Sequence, residues 1–191
     1  MSVLYVPDCP TTCSGSLQDV SFNECSPEKH WGEISKIYIA QSDFESVDNA
    51  GNAGFSDVTS LTEWNDNLSD TVDNKIRTLI VIGELPEPEV LEVPMSGDRI
   101  AIGYKTFNLN FIIDETNDTN YNFLLMNECG GKYLIWFETS DGILYGGNAG
   151  IEVSLSLNQI IPRERTGLVT ISGKATWKSL QSPFRCNSPL Y

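Results

Sequence analysis

A chain of 191 residues with 40% hydrophobic and 10% aromatic side chains can bury one substantial core, which excludes a disordered polypeptide and leaves little room for a second full domain. Twelve Lys and Arg against twenty-six Asp and Glu give a net charge of −14, which excludes a surface made to grip a nucleic-acid backbone. No stretch approaches the roughly 20 apolar residues of a membrane-spanning helix, and no basic region followed by an apolar core succeeds Met1, so the sequence predicts a protein made in the cytoplasm with no membrane contact.

Residues 1–30 are rich in Pro, Ser, Thr and Cys without a sustained period, and this predicts an extended N-terminal arm. Cys9, Cys13, Cys25 and His30 lie at spacings that loosely fit a Cys3His zinc site, in which thiolates and an imidazole close a tetrahedron. Pro10 and the wide first gap count against it, so no metal is assigned. The cysteines, with Cys129 and Cys186, are expected to be reduced apolar packing residues. His30 has no nucleophile beside it and reads as a loop residue next to Trp31.

A β domain is expected over residues 31–178. Gly32 to Ala40 alternates apolar and polar residues, with Ile34, Ile37 and Ile39 out of step by one, which predicts a strand with a bulge. Residues 41–57 are Asp-, Asn- and Gly-rich and predict a loop. Ser60-Leu-Thr-Glu63 matches a capping box for a short helix to about Leu68, with Leu61 and Trp64 facing the core. Lys75 to Gly83 is β-branched and apolar, a strand. Glu84 to Pro94 holds three prolines and is restricted to an extended loop or a sheet edge.

Ile100 to Ile113 predicts extended structure with Phe107, Leu109 and Phe111 inward and Asn108 and Asn110 outward. A helix over Tyr121 to Glu128 is expected, capped by Asp118 or Thr119 and stopped at Gly130-Gly131. Lys132 to Glu138 and Gly142 to Tyr145 frame Ser140-Asp141-Gly142, a hairpin turn because Asp-Gly tolerates positive φ. Ile151 to Leu157 and Gly167 to Trp177 alternate cleanly as two strands joined by residues 158–166. The Pro-punctuated segment 179–191 predicts a C-terminal arm.

The chemistry-bearing motifs are few. Neither glycine-rich nucleotide fingerprint occurs. The calcium-like string Asp114 to Asn120 has Thr119 where that loop needs Gly, and Leu125 where it needs an acid. Trp31, Trp64, Trp136 and Trp177 are candidates for a sugar groove, although tryptophans in such segments more often fill a core. No catalytic residue and no cofactor is assigned, and the chain does not read as an enzyme. Its charge is also uneven: residues 1–149 carry seven basic and twenty-four acidic side chains, net −17, and residues 150–191 carry five and two, net +3. Such polarity can set register between copies; the plainer reading is a solvated acidic surface.

Four segments carry a family resemblance: Gly32-x-Ile-x-x-Ile-Tyr-Ile, Asp57-Val-x-Ser-Leu-Thr-Glu-Trp64, Tyr133-Leu-Ile-Trp-x-x-Thr-x-Asp-Gly-x-x-Tyr-Gly146 and Val169-x-Ile-x-Gly-Lys-Ala-Thr-Trp177. Together they resemble structural proteins of tailed bacteriophages of gut Bacteroidales, the crAss-like group, of tail-tube or tail-hub type, over most of residues 25–180. The resemblance implies an antiparallel β-sandwich or barrel of tail-tube type, with one flanking α-helix and extended terminal arms. Its copies would form a ring around the DNA-ejection channel of a virion. Implied partners are copies of itself and other tail, portal-adaptor or tail-hub proteins, with DNA passing nearby without specific binding. Interfaces are expected at residues 41–57, 84–94 and both arms. The alternatives are a carbohydrate-binding β-sandwich module of a tail fibre or surface protein, and a zinc-stabilised adaptor.

Overall fold

A computed structural model describes residues 32–42, 55–69, 76–97, 99–127, 131–164 and 166–191. Strand β1 (Ile34–Gln41) is followed by helix α1 (Leu61–Leu68), β2 (Arg77–Glu84), β3 (Glu89–Met95) and the long β4 (Arg99–Ile113). Helix α2 (Asp118–Asn127) leads to β5 (Gly131–Thr139), β6 (Ile143–Tyr145), β7 (Ile151–Ile160), β8 (Thr170–Ser179) and β9 (Arg185–Asn187). The order β1-β2-β4-β8-β7-β5 returns to its start because β1 pairs antiparallel with both β2 and β5. The sheet is thus a closed six-stranded antiparallel barrel, with β3, β6 and β9 as outer strands on β4, β5 and β6 respectively. The fold is mainly β as expected, one sheet closed on itself, with two helices among the described residues.

Period-two alternation fills the interior. Phe107, Leu109 and Phe111 of β4 meet Val153, Leu155 and Leu157 of β7, with Ile171, Ala175 and Trp177 of β8 between them. The bulge expected in the first strand lies between Ile34 and Lys36, and it leaves Ile34, Ile37 and Ile39 inward while Tyr38 and Ala40 face out. Gly173 faces Phe111 across the β4–β8 ladder, and the Phe111 ring covers it: a Cβ there would lie 2.1 Å from the ring. Small and large residues thereby interlock inside the barrel.

Helix α2 joins the last residue of β4 to the first of β5, at one end of the barrel, and inserts Leu124 into the core. Its cap is Asn117, whose Oδ1 accepts the Asn120 N–H at 2.9 Å, one or two residues before the expected Asp118 or Thr119. The Asn117 amide is itself held by Glu115, which orients the capping oxygen.

An outer layer covers β1 and β5. Trp64 is fully buried against Tyr38, Phe55 and Trp136, with ring centroids 4.8, 4.4 and 5.9 Å away, and its Nε1–H donates to the Val58 carbonyl at 2.7 Å. Ser60 caps α1 by accepting from the Glu63 N–H, which is half of the expected capping box; the Glu63 carboxylate accepts from the Ser56 and Asp57 N–H groups, and the Ser60 N–H donates to the Asp57 carbonyl. Leu61 does not face the core and is 50% exposed. Buried Asn67, donating to the Glu63 carbonyl, shares the inward face with Trp64, and Leu61 lies on the flank on the other side of Trp64. The Asn148 side chain pins this cover, accepting from the Val58 N–H and donating to the Ser56 carbonyl.

The segment 179–191, expected as an extended arm, folds back on its own chain. β9 pairs with β6, Leu190 packs in the outer layer, and the Tyr191 ring sits over Gly142 of the expected hairpin turn, whose φ is +80°. The expected N-terminal arm, residues 43–54 of the long loop, Cys9, Cys13, Cys25, His30, Trp31 and Cys129 lie outside the described residues.

Replacing Trp64 by Ala is expected to lower the unfolding free energy by about 3–5 kcal/mol in urea denaturation, because a fully buried aromatic leaves a cavity. A loss near zero would show that the outer layer packs without it.

Candidate assembly surface

The prolines of residues 84–94 limit that segment to an edge, and β3 is one: it pairs with β4 alone, and nothing among the described residues pairs its other side. β4 reaches beyond the barrel. It pairs with β8 from Lys105 onward and with β2 from Asn110 onward, so residues 99–104 are joined only to β3. The β3–β4 hairpin is therefore a two-stranded ribbon projecting past the barrel rim, and every residue of β3 is exposed.

Both faces of this ribbon carry apolar side chains. Val93 and Met95 are exposed at 45% and 53% on one face, and Ile100, which lies opposite Pro94, is exposed at 63% on the other. A second exposed apolar group lies on the barrel wall beyond the polar rows of Thr106, Asn108 and Asn110, where Ile82 of β2 lies opposite Ile112 of β4 and both are exposed, with Ile80 nearby at 72%. A two-stranded ribbon buries little on its own, and an exposed apolar edge strand invites pairing with another chain. Adjoining exposed apolar side chains of this kind mark interaction sites.

Small-molecule chemistry has little to work with nearby. The depression at the base of the ribbon, lined by Glu89, Val90, Leu91, Tyr104 and Thr106, has a volume of about 180 Å³, below the roughly 300 Å³ of the smaller ligand pockets. One face of the Tyr104 ring is taken by Lys178, whose Nζ lies 4.5 Å from the ring centre. Trp64, Trp136 and Trp177 are core residues and present no face to a sugar. Asn117 and Glu115 of the calcium-like string cap α2. Among the described residues no three metal-ligating side chains come together, and no helix is long and apolar enough to cross a membrane.

One buried acid stands apart. Glu138 is 1% exposed and accepts from Lys36 Nζ at 2.9 Å, Tyr38 Oη at 3.0 Å and Ser188 Oγ at 2.6 Å. Its oxygens are engaged by its own chain on β1 and in the C-terminal segment, so the cluster works as a clamp that ties three segments together. Burial first, then the nearby Asp57 charge, push the Cys186 thiol up and favour its protonated form.

Neither a protein-family model nor a curated protein sequence matches the chain. The sequence singled out residues 84–94 as an interface, and the exposed ribbon includes most of them. It did not reveal Ile80, Ile82 and Ile112, although the unbroken apolar run of Leu79 to Ile82, where a half-buried strand would alternate, carried that signal.

The clamp makes stability depend on pH. Burial, reinforced by the charge and hydrogen bond of Glu138, raises the Tyr38 pKa above its ordinary value of 10.0. The folded state then keeps a proton that the unfolded chain has lost, so this contribution is complete below pH 10 and declines as pH rises above it. Urea denaturation between pH 9 and 11 is expected to show wild type losing about 1 kcal/mol more than Tyr38→Phe between pH 10 and pH 11. Equal slopes would contradict the assignment.

Proposed function

We propose that the chain is a structural subunit that associates with copies of itself, a ring-forming component of a phage tail, tube or hub, around the channel through which the genome leaves the virion. The observation that carries self-association is the β3–β4 ribbon, which projects from the barrel with exposed apolar side chains on both faces. A partner that grips the ribbon from both sides removes that surface from water. The phage setting rests on the resemblance of residues 25–180 described above.

Two further features agree with this reading. The six-stranded barrel is filled by its own side chains, so a channel would lie between copies and not through one of them. A net charge of −14 repels DNA and lets it slide past without binding. Other tail, portal-adaptor or tail-hub proteins are the expected neighbours in such a particle. A carbohydrate-binding module of a tail fibre is the alternative; the small size of the Tyr104 depression and the burial of three tryptophans weigh against it.

Light scattering over a concentration series is expected to show a defined oligomer that dissociates on dilution. The pair Val93→Gln and Met95→Gln is expected to reduce its mass while leaving the melting midpoint nearly unchanged, since exposed substitutions usually alter stability by less than about 0.5 kcal/mol. A wild-type protein that stays at one chain at every concentration would overturn the proposal.

A further inference from the structure

The outer wall of the barrel carries opposite charges in two parallel files. Glu84 of β2 lies opposite Asn110 of β4, which lies opposite Lys174 of β8. Glu89 of β3 lies opposite Thr106 of β4, which lies opposite Lys178 of β8. Residues directly opposite in a ladder share a face. That face is the outer one, because Phe107, Leu109 and Phe111 alternate with these β4 residues and are buried in the core. Acids therefore run along one side of β4 and lysines along the other. With strands about 4.8 Å apart, the backbone of each acid stands on the order of 10 Å from that of the lysine in its row, and the ion pairs of the described residues, Lys36 with Glu138 and Lys132 with Glu152, include none of these four. All four charged side chains are exposed.

Such a pattern is self-complementary in one orientation. A second copy turned by half a turn about an axis along β4 sets its acids over these lysines and its lysines over these acids. Half a turn about an axis across the strands sets like charge over like. The axis also passes the exposed Ile112, which then meets its own counterpart, as residues on a two-fold axis do.

We infer that the β2–β4–β8 wall is a two-fold contact between two copies of this chain, held by Glu84 and Glu89 against Lys174 and Lys178. The inference rests on the reading of the chain as a self-associating subunit and adds a second contact to it. The ribbon is a head-to-side element able to build a ring, whereas the wall closes at two copies and would join rings, or single subunits, in pairs. Like-charge repulsion between two acidic molecules is offset there because the lysines face the partner's acids.

The test uses the full chain carrying Val93→Gln and Met95→Gln, so that only the wall contact remains. This protein is expected to have the mass of two chains by light scattering, with a dissociation constant that weakens as salt rises. Adding Lys174→Glu and Lys178→Glu, or instead Glu84→Lys and Glu89→Lys, is expected to weaken the pair by at least about tenfold. Mixing those two charge-reversed proteins is expected to restore a one-to-one pair, and all four changes in one chain are expected to restore the homodimer. A monomer in the starting background, an unchanged mass after either reversal, or mixed proteins that remain apart or grow beyond two chains would overturn the inference. Wild-type assembly that survives the Val93 and Met95 changes at full size counts against the ribbon reading alone.

Discussion

Everything else in the molecule depends on the ladder between β1 and β5. Its seven residue pairs, from Ile34 opposite Thr139 to Gln41 opposite Tyr133, close a sheet that would otherwise end in two long, sticky edges. Because β1 is bonded on both sides, its two faces are also committed: Ile37 and Ile39 to the barrel interior, Tyr38 and Ala40 to the outer layer. A strand used in four directions explains why its stretch of sequence alternates imperfectly. The bulge beside Ile34 is the adjustment that lets one strand serve both cores.

Closure concentrates the unmet hydrogen-bonding capacity of the sheet. Among the described residues β1, β5 and β8 are paired on both sides over most of their length and β2, β4 and β7 over part of it, and the outer strands β3 and β9 form edges. At one extreme β9 is three residues long, tucked under the C-terminal turn and fastened by Ser188 to Glu138. At the other, β3 is seven residues long, exposed throughout, and mounted on a ribbon clear of the barrel. The first is an edge that the chain blunts by shortness and a local clamp. The second has no neighbour on its outer side among the described residues, and Glu89, Glu92, Pro94 and the register shift beside Val90 restrict which chain can pair with it. An asymmetry of this kind is what a head-to-tail assembly requires, since one edge must be protected and the other offered.

Local signals in the sequence were read well where the physics is local. The bulged first strand, the Ser60 cap, the Asp141-Gly142 turn and the inward alternation of Phe107, Leu109 and Phe111 all appear as expected. The features that escaped are those decided at long range. Barrel closure joins residues about a hundred positions apart, as Tyr38 and Glu138 illustrate, and no periodicity reports it. On α1 Asn67 is buried and Leu61 half exposed, and the hydrogen bond to the Glu63 carbonyl that accompanies the burial of Asn67 is not shown by composition. The outward apolar face of β2 was hidden because Leu79 to Ile82 are all apolar, and only the fold decides that Val81 is inside and Ile80 and Ile82 are not. The C-terminal segment looked like an arm because its prolines mask a three-residue strand.

The central claim is that the β3–β4 ribbon is buried between copies in solution. Hydrogen exchange of its backbone amides at two protein concentrations tests this most directly, because an edge strand exchanges freely in a monomer and slowly once a neighbour covers it. Slower exchange over residues 89–104 at the higher concentration, with the barrel strands unchanged, is the predicted result. Identical exchange of those residues at both concentrations, in a sample whose mass rises with concentration, would contradict the account and move the contact elsewhere on the surface.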